Sequence, residues 1–322
     1  MVDVSMIKRK SSALSPSSLN CLSHIPTVNV SSGCAHGCLY CYTRGYSTYP
    51  GEEKVEVYEN LLDKLKKELP RKKIRPRAVY FSPSSDVFQP IPEVLNLSYS
   101  IFEYLLSMGV GVAFLTKGTI PEKHMKLLKS HAHNARAQVG LITLDENILK
   151  TFEPRAASAR RRLSQIKELT RAGLTTQVRL DPIIPGLTDD ENTLRPLIEA
   201  IAETGVKNLA SSALFLRPAV AASLKEYITD KKMLDKILAP FSCAKRLAIH
   251  AEHSHVTALP KMAREEILSR VKNIANEFGI RMKICACKNP DIASGTCGIA
   301  GDWIKPPEET AQISLFSKPG RS

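Results

Sequence analysis

The sequence predicts an α/β fold built on a parallel sheet, from three observations. Short aliphatic and β-branched runs alternate with amphipathic stretches of helical length, the alternation repeats along most of the 322 residues, and Gly109, Gly173, Gly205 and Gly279 stand just past helical stretches as stop signals. Repeated strand-then-helix units imply parallel strands joined by right-handed crossovers, hence a singly wound barrel or a doubly wound sheet. In a barrel, chemistry sits at the C-terminal ends of the strands.

Taken in order, the strand candidates are 27–30, 78–82, 110–116, 138–144, 175–182, 209–216 and, less strongly patterned, 281–285. The helix candidates are 55–69, 96–108, 121–131, 159–172, 189–204, 221–238 and 261–278, with Asn96 as a cap and Pro121 in a first turn. Residues 1–26 are rich in Ser and Pro and read as a flexible lead-in; 305–322 read as a flexible tail. Between them the expected units are a core barrel over 27–278 and a C-terminal cysteine segment over 279–304.

Composition narrows the function classes. The N-terminus has no apolar signal segment, and the longest strongly apolar stretch, 109–115, is far short of the roughly 20 residues a membrane span needs. A cytoplasmic, non-membrane protein is expected, whose eight cysteines meet a reducing environment and point to metal ligation before disulfides. Lys and Arg total 45 against 32 Asp and Glu, a net charge of +13. The run Lys64–Arg77 and the triplet Arg160, Arg161, Arg162 would suit phosphates, but no aromatic residue interleaves the longer run, so a solvated face is the simpler reading.

The most informative stretch is Cys34-Ala-His-Gly-Cys38-Leu-Tyr-Cys41, directly after the first strand candidate. Three thiolates spaced four and three apart on a loop can hold one corner each of a compact cluster, and the lack of a local fourth ligand leaves a coordination position open. His36 reads as a loop residue that hydrogen-bonds near the cluster, not as a ligand.

This triplet, with Tyr40 just before its last cysteine, resembles the signature of the radical S-adenosylmethionine superfamily. Further segments resemble its spore photoproduct lyase-like, DNA repair photolyase-type branch: Ser85-Asp-Val-Phe-Gln-Pro90, Leu115-Thr-Lys117, Thr143-Leu-Asp145, Glu153-Pro-Arg-Ala-Ala-Ser158 with Arg162-Leu163, Asp181-Pro-Ile-Ile-Pro-Gly-Leu-Thr-Asp189 and Leu216-Arg-Pro218. The resemblance runs from about Thr27 to Pro218. It implies a partial (β/α)6 barrel, a [4Fe–4S] cluster on Cys34, Cys38 and Cys41, and S-adenosylmethionine bound at the fourth iron. It also implies reductive cleavage to a 5′-deoxyadenosyl radical that abstracts hydrogen from a substrate, with an electron donor such as flavodoxin or ferredoxin.

Site roles follow by position. Tyr40 would lie by the adenine; Thr116, Lys117 and Thr143, at strand ends, would serve the ribose. Arg155, Arg179 and Arg217 are candidates for the methionine carboxylate, Arg179 favoured because it belongs to the fifth strand candidate. The family's Gly-Gly-Glu after the second strand is replaced by Ser82-Pro-Ser-Ser-Asp86, in which Ser84, Ser85 and Asp86 would receive the methionine ammonium. No cysteine lies between Cys41 and Cys243, so the hydrogen-donor cysteine of spore photoproduct lyase has no counterpart there and repair by that route is not implied.

A second group, Cys285, Cys287 and Cys297, is a candidate for another iron–sulfur cluster, with Cys243, Cys21 or a non-protein ligand as the fourth; zinc or buried structural thiols are the alternatives. His250, His253 and His255 read as surface or hydrogen-bonding residues. Nucleic acid is the favoured substrate class, ahead of peptides and small metabolites. The competing class is a non-catalytic iron–sulfur or zinc protein that binds nucleic acid through a basic face.

Overall fold

The computed structural model describes residues 2–17, 20–249, 254–293 and 296–299; His250, His253 and the tail 305–322 lie outside them. Seven strands form one all-parallel sheet: β1 (Thr27–Val28), β2 (Ala78–Phe81), β3 (Gly111–Thr116), β4 (Ala135–Gly140), β5 (Thr175–Ile183), β6 (Asn208–Ala213) and β7 (Arg281–Ile284). Each pairs with its neighbour in chain order, and no pairing joins β1 to β7 among the described residues, so the sheet is an open, partial barrel.

The helices are α1 (Leu61–Glu68), α2 (Pro92–Ser107), α3 (Glu122–Ser130), α4 (Glu146–Phe152), α5 (Ala159–Arg171), α6 (Glu191–Ala202), α7 (Pro218–Tyr227), α8 (Lys231–Leu238) and α9 (Lys261–Glu277). Their apolar stripes bury against the outer face of the sheet, where Phe81, Phe88, Phe102 and Phe114 meet edge to face or stacked, with ring centroids 4.5–6.0 Å apart. The inner face is different in kind: Ala78, Ala113 and Ala210 are small, and Gln138, Gln177 and Arg179 are polar. A closed core would place bulky aliphatic residues there.

Several elements depart from the expected spans. Residues 54–58, expected as the start of a helix, are a strand, because Val55 and Val57 alternate with polar neighbours and pair in parallel with Asp3–Ile7. The lead-in therefore carries a strand, and Ala13, Leu14, Cys21 and Leu22 are buried. The expected helix 221–238 is two helices, since the Asp230 carboxylate accepts from the Lys232 and Met233 N–H groups and restarts the chain. A hairpin of Lys245–Ile249 and Ser254–Ala258, with exposed His255, covers part of the barrel mouth beside Phe215–Leu216. Strand β7 pairs with β6, so the sheet continues past residue 278 and the cysteine segment begins on it. The basic run Lys64–Arg77 precedes β2 at its N-terminal end, opposite the end where the cysteine triplet lies.

Candidate active site

The triplet loop follows β1 and is tied down on every side. The Ala35 N–H donates to Gln89 Oε1 (2.8 Å), and fully buried Gln89 donates on to Ser31 Oγ (2.9 Å). Arg155 also holds the loop: its Nε donates to Ala35 O (2.5 Å) and its backbone N–H to His36 O (3.2 Å). Arg44 donates to the carbonyls of Gly37 and Cys38 (3.3 and 3.2 Å), and the Leu39 N–H to Phe152 O (2.9 Å). With so many backbone groups satisfied by protein, the loop is preorganised to present its thiols.

Gly33 opens the loop at φ +77°, and a Cβ there would stand 2.2 Å from Lys54 O, a backbone atom. Gly33→Ala is expected to cost at least about 2 kcal/mol and to lower the iron retained after reconstitution, because the loop must move to relieve the contact. Denaturant titration together with iron analysis checks both.

Cys34, Cys38 and Cys41 line one wall of a cavity of about 440 Å³ at the C-terminal ends of the strands. Burial, followed by the charge of Asp86 for Cys34 and of Glu153 for Cys38, pushes both thiols up, Cys38 to about 12. Such thiols ionise readily only when a cation takes up the charge, which is what a metal cluster does.

Asp86, midway along the loop between β2 and α2, is the hub of the facing wall. His36 Nε2 lies 3.1 Å from Oδ2, Thr116 Oγ1 is within 2.9–3.0 Å of both oxygens, and the N–H groups of Phe88 and Lys117 donate at 2.8 Å each. Burial works to raise this carboxyl, but His36 and the two N–H donors outweigh it and hold it below the ordinary aspartate value. His36 Nδ1 faces Arg155 O (3.2 Å), so the histidine sits beside the triplet as a hydrogen-bonding residue.

The predicted site residues fall into three sets. Tyr40, Ser84, Ser85, Asp86, Thr116, Lys117, Arg179 and Arg217 line the cavity with the cysteine triplet. Arg155 braces the loop from behind and pairs with Glu53 (2.8 Å). Thr143 lies three residues beyond β4, accepting from the Asp145 N–H (3.1 Å), outside the cavity lining. Within the first set several groups are already engaged: Asp86 and Thr116 with each other, Tyr40 OH with Glu153, Arg217 with Ser254 Oγ (2.9 Å). Lys117 Nζ sits 5.6 Å from the centre of the Tyr40 ring.

Two hydroxyls stand out because they are engaged with nothing: Ser82 Oγ and Ser85 Oγ are buried and have no hydrogen-bond partner, and both residues line the cavity. Buried orphan hydroxyls call for a polar ligand. Ser82 was not singled out from sequence; it directly follows β2 at φ +49°, a left-handed conformation unusual for serine and typical of strained functional turns.

Across the cavity lies the second cysteine group. Cys285, Cys287 and Cys297 are buried together with Cys21, which stands in hydrogen-bonding reach of Cys287 and Cys297. Sharing protons along this chain raises Cys21 and Cys285 and lowers Cys287 and Cys297. Arg179, the favoured carboxylate ligand, is turned toward this group: it donates to Asp181 Oδ2 (3.0 and 2.9 Å) and to Cys285 Sγ (3.2 Å). Cys243 is exposed and elsewhere.

A model of the radical SAM superfamily matches residues 28–197, more than half of the chain. The chain belongs to the radical S-adenosylmethionine superfamily. Its relatives include a radical SAM Nalpha-GlyT isomerase of Pseudomonas phage M6, 28% identical over 173 residues, and an uncharacterized protein of Mycobacterium bovis, 30% identical over 200 residues. The matches cover 53% and 59% of this chain but only 35% and 59% of those proteins. Among solved structures, spore photoproduct lyase complexed with dinucleoside spore photoproduct superposes with a TM-score of 0.64 at 15% identity, over 87% of this chain and 82% of that one. The radical SAM methyltransferase TsrM from Kitasatospora setae gives 0.53 at 11%, over 85% and 57%. At these identities the likeness is one of fold. Among the described residues no helix is long and apolar enough to cross a membrane.

Proposed function

We propose that this radical SAM protein is an enzyme that binds a [4Fe–4S] cluster through Cys34, Cys38 and Cys41, holds S-adenosylmethionine in the adjoining cavity, and abstracts hydrogen from a substrate there. The observation that carries the reading is the arrangement of that cavity: the three thiols of the triplet on one wall and two orphaned buried hydroxyls on another. When bound, the reduced cluster supplies the electron that splits S-adenosylmethionine and so provides a 5′-deoxyadenosyl radical.

The chain's own groups position the cofactor. Ser82 and Ser85 hydroxyls accept from its ammonium, taking over the role first sought in Asp86, whose two oxygens are already filled. Ser84, beside them on the lining, and Arg217, across the mouth, hold the methionine end, while Tyr40 and Lys117 flank the adenosyl end. Asp86 and His36 keep the triplet loop and the β3 end in register. A cavity that buries these groups also shields a radical from water.

The substrate class favoured is nucleic acid. The net charge of +13, and a fold shared with a lyase solved with a dinucleoside spore photoproduct, support it. The run Lys64–Arg77 does not contribute, because it lies at the other end of the barrel. A flavodoxin- or ferredoxin-type reductant and a reducing cytoplasm complete the reading. Electron paramagnetic resonance tests it: adding S-adenosylmethionine to the reduced, iron-loaded protein is expected to change the g-values of the triplet's cluster. An unchanged signal at saturating cofactor would contradict an open iron. Deuterium recovered in 5′-deoxyadenosine from a deuterated oligonucleotide, and not from deuterated peptides, identifies the substrate class.

A further inference from the structure

We infer that Cys21, Cys285, Cys287 and Cys297 form a second metal site, a fully ligated four-thiolate iron–sulfur centre whose fourth ligand comes from the N-terminal segment. The four thiols derive from three stretches, the 3₁₀ turn Asn20–Leu22, the turn after β7 and the loop at Cys297, the first of them more than 260 residues from the other two. Each side chain is at most 7% exposed, and together they form one cluster against the inner face of the sheet. Four buried thiols from separate segments, none in a disulfide, have no packing reason to converge that smaller apolar residues would not serve better.

The surroundings suit an anionic centre. Arg179 Nη2 donates to Cys285 Sγ (3.2 Å), and Lys288 Nζ lies beside it, 2.7–2.8 Å from Asp181. A tetrathiolate cluster in its resting state carries a net charge of about −2, and two cations against one aspartate offset part of it in a site where an unpaired charge would be costly. Gln177 Nε2 donates to Cys297 O (3.0 Å), anchoring that loop to β5. Asn289 Nδ2 donates to Cys285 O (3.1 Å), fixing the turn that sets Cys285 and Cys287 side by side. The small side chains of Ala78, Ala113 and Ala210 pack in the same cluster.

The spacing of the paired cysteines favours iron–sulfur chemistry over zinc. Structural zinc sites space paired cysteines by two to four residues, whereas one residue separates Cys285 from Cys287. With four protein ligands the centre has no open iron. It binds neither S-adenosylmethionine nor substrate, and it ties the N-terminal segment and the loop at Cys297 to the cavity wall.

The site is independent of the triplet, and so is its test. In the Cys34→Ala/Cys38→Ala/Cys41→Ala chain, anaerobic reconstitution is expected to leave about four iron and four sulfide per chain. Adding Cys21→Ser should remove them, whereas adding Cys243→Ser should not. Mössbauer spectra of the ⁵⁷Fe-loaded wild-type chain need no variant: two components of equal area are expected, only one of which shifts with S-adenosylmethionine. One zinc per chain, iron unaffected by Cys21→Ser, or a single component that responds wholly to S-adenosylmethionine would overturn the assignment.

Discussion

Cys38→Ala is expected to abolish 5′-deoxyadenosine formation and to lower the iron content of the reconstituted chain by about four atoms. Cys38 sits at the centre of the triplet loop, with its thiol on the cavity wall, and its backbone carbonyl accepts from both the Cys41 N–H (3.1 Å) and Arg44 Nε (3.2 Å). Alanine keeps those backbone bonds, so the fold survives and only the ligand is lost. Iron analysis and product chromatography on the same sample read both parts, with circular dichroism reporting the unchanged fold. Retained iron together with retained activity would move the cluster away from this loop.

Asp86→Ala has the second large effect, and it falls on stability as well as chemistry. The substitution strands His36 Nε2, the Thr116 hydroxyl and the N–H groups of Phe88 and Lys117, all around a buried carboxylate. Each buried group left unsatisfied costs about 1–3 kcal/mol, so a loss of about 4 kcal/mol and a fall in Tm on the order of 10 °C are expected. The pH dependence has a definite sign. The folded carboxyl titrates below its ordinary value, so its stabilisation is fully present above about pH 4–5 and is lost as the pH falls through the folded value. The gap between wild type and Asp86→Ala in urea titrations should therefore be constant from pH 8 to pH 5 and narrow only in stronger acid. A gap that narrows toward neutral pH instead would show that the carboxylate is not held this way.

The parallel sheet was legible because helix and strand periodicities differ and alternate cleanly; all seven strand positions fall within a few residues of expectation. The fourth strand was placed late, at 138–144 instead of Ala135–Gly140, because the apolar run Leu141–Ile142 continues past the last ladder bond into the loop. That shift is what moves Thr143 off the cavity. Local spacing made the cysteine triplet readable, since all three ligands lie within one loop. Ser82 escaped notice because its signal is a backbone angle and an absent partner, neither of which is written in residue identity. Arg162 looked like part of a surface charge run, yet it is fully buried and paired with Glu153, whose other oxygen receives Tyr40 OH. Cys21 was one of three options for a fourth ligand; only the fold brings it across more than 260 residues of sequence to Cys285, Cys287 and Cys297.

The central claim is that an open iron at the triplet loop turns S-adenosylmethionine into a radical source. The most direct measurement is the release of 5′-deoxyadenosine and methionine when the anaerobically reconstituted chain is reduced with dithionite in the presence of S-adenosylmethionine. Formation of both in equal amounts, absent with Cys38→Ala, is the predicted result. A fully loaded, reduced cluster that leaves S-adenosylmethionine intact would contradict the account.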